Sequence, residues 1–205
     1  MFANRFTALV DACSLVGALG RNTLLSLAEA ELFRVRWSGE ILVETERALS
    51  RVLARQEQAE PDKVAARQIA RMRDAFPEAM IENYDAYFPD PAGLSDPNDA
   101  HVIAAARACG ASVIVTENLR DFLVARLGPL PIEVKTSDDF VADAIDLEPA
   151  RAVAAIEAMR RRFRKPEMNW AELMLRYESR GFFQTADLLR AHGPPPSLLL
   201  PVDDG

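Results

Sequence analysis

The chain has 205 residues, room for one domain or for a domain with a helical extension. Apolar residues make up 49% and charged residues 27%, a globular balance with no run near the roughly 18 apolar residues of a membrane span. The formal net charge of −7 argues against a uniformly basic nucleic-acid binder.

The first apolar run, residues 6–10, reads as a strand that ends at Asp11. Leu24, Leu25, Leu27, Ala28 and Leu32 recur at helical spacing over 21–33. Val35-Arg36-Trp37 is a short strand candidate, and Ser38 caps a helix running to about Arg55. The apolar stripe of that helix is Ile41, Leu42, Thr45, Ala48, Leu49, Val52 and Leu53, with Glu44 at its edge. Another helix is expected over 62–75, then a short strand near 79–82 in a stretch rich in proline and aromatics. Asp96-Pro97-Asn98-Asp99 opens a helix that runs through Cys109 and stops at Gly110. Ser112–Thr116 is the cleanest buried-strand signal. A short helix is expected from Arg120 to Leu127, a last strand over 131–134, and a helix capped by Ser137-Asp138. From Pro149 onward only helical patterns occur, at 149–164, 169–180 and 182–192. Strands alternating with helices argue for an α/β domain with a parallel sheet covered on both faces, followed by a C-terminal helical extension. The domain limits expected are 1–148 and 149–205.

In open α/β sheets, ligands gather beyond the carboxyl ends of the strands. Asp11 and the Thr116–Asp121 loop both follow a strand. Asp96 and Asp99 open a helix, and Glu44 borders an apolar helix face. Each has an ordinary structural explanation. Asp11 can be a turn or cap residue, Asp96 an N-cap, Asp99 a capping-box acid, and Glu44 a boundary residue reaching water. Thr116 and Asn118 can form a local turn, with Asp121 capping the short helix after it. Taken together, clustered carboxylates are held most cheaply by a divalent cation, and oxygen ligands favour Mg²⁺ or Mn²⁺. That points to metal-assisted chemistry on phosphate. On that reading Thr116 and Asn118 position a metal ligand or a water, and Asp121 completes the acidic cluster.

The two cysteines, Cys13 and Cys109, lie in apolar stretches without a CxxC partner and read as reduced core residues. Two histidines, His101 and His192, argue against a zinc site of His and Cys. The N-terminal residues lack a signal-peptide layout, so a cytoplasmic protein without a membrane role is expected. The charge is uneven. Residues 149–205 carry nine Lys/Arg against seven Asp/Glu, and the other 148 carry 15 against 24. Bound cations would reverse the acidic field where a phosphate must sit. The run Arg160-Arg161-Arg162-Phe163-Arg164-Lys165 is either a solvated helix end or a phosphate contact, as are Arg120 and Arg126.

In this order, Leu9-Val10-Asp11, Trp37–Glu44 with Arg47 and Leu49, Asp96–Ala106 and Val115–Phe122 resemble the PIN-domain family, in particular VapC-like toxin ribonucleases. The resemblance covers about residues 5–140. It implies a three-layer α/β/α sandwich around a parallel sheet and a Mg²⁺- or Mn²⁺-dependent endoribonuclease, the toxin of a type II toxin–antitoxin module. It also implies an RNA substrate, a cognate antitoxin and a homodimer. By motif position the acids are Asp11, Glu44 and Asp99, the fourth polar position falls in the Thr116/Asn118/Asp121 loop, and Asp96 matches an extra acid of one branch. The resemblance thus implies Asp11 and Asp99 as metal ligands, Glu44 and Asp121 as further catalytic acids, and Asp96, Thr116 and Asn118 in support of the cation. Two departures stand out. Ala12-Cys13 replaces a hydroxyl or Asn after the first Asp, and Asn118 stands where an Asp is usual, so Asp121 must supply any charge there.

The rival folds fit less well. A receiver domain wants paired acids near the first strand that are missing, although Lys135 follows the last strand. A haloacid-dehalogenase-type hydrolase wants an Asp where Cys13 stands. A catalytically inactive PIN-like module that binds RNA or protein is the main alternative.

Overall fold

The computed structural model describes residues 6–89, 96–122, 132–164 and 167–193. Its centre is a five-stranded sheet of β1 (Thr7–Val10), β2 (Arg34–Ser38), β3 (Met80–Ile81), β4 (Val113–Val115) and β5 (Glu133–Lys135). All neighbours pair in parallel, in the order β3-β2-β1-β4-β5. The flanking helices are α1 (Ala12–Val16), α2 (Ala18–Glu29), α3 (Gly39–Arg55), α4 (Pro61–Ala75) and α5 (Ala100–Ala108). They are followed by α6 (Ser137–Leu147), α7 (Pro149–Arg161), α8 (Trp170–Glu178) and α9 (Phe183–His192). This is the expected α/β/α sandwich with C-terminal helices.

The strand order places the site. The chain leaves β1 toward β2 and β3, then returns past β1 to form β4 on its other side. Right-handed crossovers that change direction put their helices on opposite faces of a sheet. Helix α3 packs on β2 and on α4, and α5 packs on β1 and β2. The reversal between β1 and β4 is a topological switch point, where loops part and leave a crevice beyond the strand ends. Pairing of Val10 with Val115 sets Asp11 beside Thr116 at that point. Asp11 N–H donates to the Val115 carbonyl at 2.9 Å, extending the ladder by one residue.

Central strands covered on both faces must be apolar throughout. Ala8, Leu9, Val10, Ile114 and Val115 are indeed fully buried, as is Trp37, whose ring meets Phe76 edge-on at 6.0 Å. Helix α3 starts where Ser38 accepts from Ile41 N–H at 3.2 Å, and it buries Ile41, Leu42, Thr45 and Leu49. Helix α5 ends before Gly110, whose φ of +61° is a left-handed conformation that glycine adopts without strain.

The backbone divides into two compact units, one of residues 1–21 and 33–137, the other of 22–32 and 138–205. The division by compactness thus falls eleven residues before the 148/149 limit expected from the sequence, and it assigns 22–32 to the helical unit. Within that unit, Asp138 accepts from the N–H groups of Gln184 (3.0 Å) and Thr185 (2.9 Å), so the start of α6 supplies the cap of α9. Thr23 and Tyr177 share a 2.6 Å hydroxyl hydrogen bond. Burial pushes the Tyr177 phenol well up from its ordinary value. The unit's apolar interior includes Leu24, Leu27, Val141, Ile145, Ile156, Leu173 and Leu189.

Short helix α1 is absent from the sequence expectation, because five residues are too few to show a period. It is held by Arg21, which donates to the Leu15 (2.8 Å) and Val16 (3.2 Å) carbonyls and to Gln68 (2.6 Å). The helix expected over 120–127 lies mostly outside the described residues, and Asp121 and Phe122 form a turn.

Candidate functional site

Asp11 leaves the end of β1 and is buried, with 7% of its surface exposed. It caps α1, accepting from Ala12 N–H at 2.6 Å. The cap uses one carboxylate oxygen. The other accepts from the Thr116 hydroxyl at 2.8 Å and the Cys13 thiol at 3.1 Å. Asp11 is therefore both a cap and the focus of a network drawn from two adjacent strand ends. Thr116 Oγ1 in turn accepts from Asn118 N–H at 3.1 Å, and the Asn118 amide donates to the Asp121 carboxylate. The turn reading and the positioning reading of this loop are one geometry. Its internal hydrogen bonds aim Thr116 at Asp11 and hold Asp121 in place.

Asp96 behaves as an N-cap, accepting from Asn98 N–H at 2.9 Å at the start of a 3₁₀ turn over Pro97–Asp99. Asp99 does not behave as a capping-box acid, since its side chain makes no cap hydrogen bond. The 3₁₀ turn before α5 moves it off the helical register that a capping box needs. Its Oδ2 is buried without a hydrogen-bond partner among the described residues. Desolvation, then the charges of Asp11, Asp121 and Asp96, push its carboxyl up to about 6, against a smaller opposing pull from His101. Like charges disfavour a second ionisation, which is the sense of the shift that Asp11 and Asp121 impose on Asp99.

Glu44 lies on α3 with 44% of its side chain exposed, and its Oε2 is 3.5 Å from His101 Nε2. Its carboxyl is raised by desolvation, and further by Asp11 and Glu40, while His101 and Arg47 pull the other way. Asp11 thus couples to both Glu44 and Asp99, and Asp99 couples to Asp96 and Asp121. All the acids named from sequence share one electrostatic neighbourhood. Among the described residues no three His, Cys, Asp or Glu side chains form a ready-made metal shell. The donor chemistry nonetheless suits a hard cation. The donors are carboxylate oxygens, Asp99 and Glu44 are pushed up in part by acidic neighbours, and one buried oxygen of Asp99 lacks a partner among the described residues.

Three residues gain roles that their positions in the sequence did not announce. Cys13 is not the core residue its apolar neighbours suggest. It is exposed on the first turn of α1, although its sulfur lies against Asp11, Thr116 (3.1 Å) and Glu117 N–H (3.1 Å). Desolvation first, and Asp11 second, push the thiol up to about 11, so it stays protonated beside the acid. Cys109 is half-buried, and both cysteines are free thiols. Glu117 accepts from Ser14 Oγ (3.3 Å) and Ser137 N–H (3.2 Å), tying the loop after β4 to α1 and to the start of α6. His101 is buried between Asn98 and Glu44, where its scarcity in the chain gave no clue.

Three cations of the basic run are ion-paired. Arg160 clasps Glu157 through two bonds of 2.7 Å, Arg161 reaches the same carboxylate at 2.9 Å, and Arg162 pairs with Glu29 at 2.8 Å. Arg126 and Lys165 lie outside the described residues.

A family model described as PIN domain matches residues 7–120, more than half of the chain. A second, described as VapC50 C-terminal domain, matches residues 137–191. The chain belongs to the PIN-domain family and is a VapC-like member of it. Comparison with curated proteins gave no match, and comparison with solved structures gave none.

Proposed function

We propose that this protein is a divalent-cation-dependent endoribonuclease that hydrolyses RNA phosphodiesters and serves as the toxin of a type II toxin–antitoxin module. The observation that carries this is the meeting of Asp11 and Thr116 at the switch point, together with Asp99, whose carboxyl the Asp11 charge pushes up and whose inner oxygen is unpartnered among the described residues. Family membership supports nuclease chemistry in the 1–148 part, with the helices from 149 as an extension to it.

Asp11 and Asp99 are the residues that would hold Mg²⁺ or Mn²⁺, with Asp96, Thr116 and Asn118 in support. Such a cation supplies Lewis-acid charge for the phosphodiester and lowers the pKa of a nearby water. The chain's own residues do the positioning. Thr116 and Ala12 fix the two oxygens of Asp11, which keeps a carboxylate pointed out of the sheet edge. Asn118 holds Asp121. Glu44, partly open to solvent, orients the attacking water. The acids repel an RNA backbone until a cation offsets them, so cation and substrate are expected to bind together.

The partner that fits this surface is a small antitoxin presenting a basic side chain, which would displace the cation from the acids. A homodimer acting in the cytoplasm completes the proposal. No helix among the described residues is long and apolar enough to cross a membrane.

The test is incubation of the purified protein with structured and unstructured RNA in Mn²⁺, Mg²⁺ or EDTA. Cleavage is expected with either metal and none with EDTA. Asp11→Asn and Asp99→Asn should each lower the rate about 10²–10³-fold, the usual loss when a key electrostatic group is removed. Undiminished cleavage by both variants would refute the assignment. RNA bound without metal and left uncut would instead mark a binding module.

A further inference from the structure

Glu117 is an acid outside the set named from sequence, directly after Thr116, and its residue is exposed. Its contacts set it apart from the other acids. One carboxylate oxygen, Oε1, accepts from Ser14 Oγ at 3.3 Å and from Ser137 N–H at 3.2 Å. Both donor residues are buried. Ser14 lies in α1 and Ser137 opens α6, so a single oxygen joins two helices. Negative charge is favoured at a helix N-terminus, and Ser137 offers the first N–H of α6. The main chain of the same residue adds a third tie, since Glu117 N–H donates to Cys13 Sγ at 3.1 Å.

These ties hold the loop that begins beside Asp11. Thr116 is fixed by the sheet, donating its N–H to the Lys135 carbonyl at 2.9 Å and its hydroxyl to Asp11 at 2.8 Å. Asn118 and Asp121 lie past the end of β4. The bonds from Asn118 to Thr116 and Asp121 shape the turn from within but do not anchor it to its surroundings. An acid that served only to cap α6 would need Ser137 alone. The bonds to Ser14 and Cys13 go instead to α1, the helix that Asp11 caps. We infer that Glu117 is a positioning residue that braces the Thr116–Asp121 loop against α1 and the start of α6, acting as a hydrogen-bond acceptor and not as a ligand of the cation. The role rests on the nuclease reading, because the reason to fix this loop beside Asp11 is a shared cation.

Two substitutions separate bracing from ligation. Glu117→Gln keeps the accepting oxygen and loses the charge, while Glu117→Ala loses both. In Mn²⁺ titrations by calorimetry, Glu117→Ala is expected to bind about 10-fold more weakly than the wild type, the low end of the usual cost of losing a partner that orients a metal-site group. Glu117→Gln should recover most of that loss. Ser14→Ala removes one of the two side-chain bonds and should fall between them. Binding by Glu117→Gln as weak as by Glu117→Ala would mean that the cation needs the charge itself, and it overturns the proposal. Wild-type affinity in Glu117→Ala overturns it too.

A second readout needs neither metal nor RNA. Asn118 N–H donates to Thr116 Oγ1 inside the loop, a bond in which Glu117 takes no part. With the brace removed the loop opens more often, so amide exchange at Asn118 is expected to be about 5-fold faster in Glu117→Ala and close to the wild-type rate in Glu117→Gln, well below the melting temperature of each. A residue that only capped α6 would speed exchange at Ser137 and leave Asn118 as it was, and that result overturns the proposal. If the wild-type protein neither binds Mn²⁺ nor cuts RNA, the nuclease reading fails, and the exchange rates still decide whether Glu117 braces the loop.

Discussion

The two compact units use acidic residues in opposite ways. In the helical unit, Glu157 is surrounded by partners. Arg160 and Arg161 grip it with three hydrogen bonds of 2.7–2.9 Å, and Arg160 first, with Arg161 assisting, draws its carboxyl below the ordinary range. Asn169 and Glu172 close a reciprocal capping box at 2.9 and 2.8 Å, and Asp138 caps α9. In the sheet unit, Asp99 and Glu44 are pushed up by desolvation and by other acids, and Asp99 keeps a buried oxygen without a partner among the described residues. Acids pushed up by one another cluster at functional sites, where a bound cation relieves them. The contrast separates charge used to hold a fold from charge kept ready for a ligand.

The largest way to sharpen this contrast is in the helical unit. Leu173 is fully buried there, and Leu173→Ala should cost about 3 kcal/mol of stability through lost burial and a residual cavity. Urea denaturation checks it. A cost below about 1 kcal/mol would mean the unit is not the well-packed body described.

The second effect is smaller and has the opposite sign. The Asp99 carboxyl, near 6 when folded, holds its proton more tightly than in the unfolded chain. Between the ordinary carboxylate range and about 6 the folded state therefore binds more protons, and stability falls as pH rises through that window. Asp99→Asn removes the penalty. Discounted for solvent screening at this half-exposed group, it should make the metal-free protein about 1 kcal/mol more stable at pH 7. The gain should vanish below about pH 4. Thermal melts across pH test this, and a variant less stable at pH 7 would break the contrast.

The smallest effect belongs to Glu157, whose shift runs the other way. Its stabilising share is present at neutral pH and is lost as pH falls through its lowered folded value. Glu157→Gln should cost about 0.5 kcal/mol at pH 7, less in high salt, by the same melts.

Much of this was legible in the residues themselves. Helix α3 begins after Ser38 and ends at Arg55 as its cap and stripe predict, and the β4 run of Val113, Ile114 and Val115 can only be a buried strand. Asp11, Thr116 and Asp99 could be named because parallel strands bring their carboxyl ends to one edge. What sequence could not carry was set by three-dimensional neighbours. Cys13 sits among apolar residues in sequence but beside Asp11 in space, and helix α1 is too short to show a period. The Asp99 capping role failed because Pro97 starts a 3₁₀ turn there. The grouping of residues 22–32 with the C-terminal helices depends on contacts such as Thr23 with Tyr177, which no local pattern encodes.

The central claim is that the Asp11–Asp99 neighbourhood awaits a divalent cation. Calorimetric titration of the metal-free protein with Mn²⁺ tests it most directly. Saturable binding by the wild type, weakened at least about 10-fold in Asp11→Asn and in Asp99→Asn while Glu157→Gln binds as the wild type does, is the predicted result. Absence of binding by the folded wild type, or equal binding by all four proteins, would contradict it.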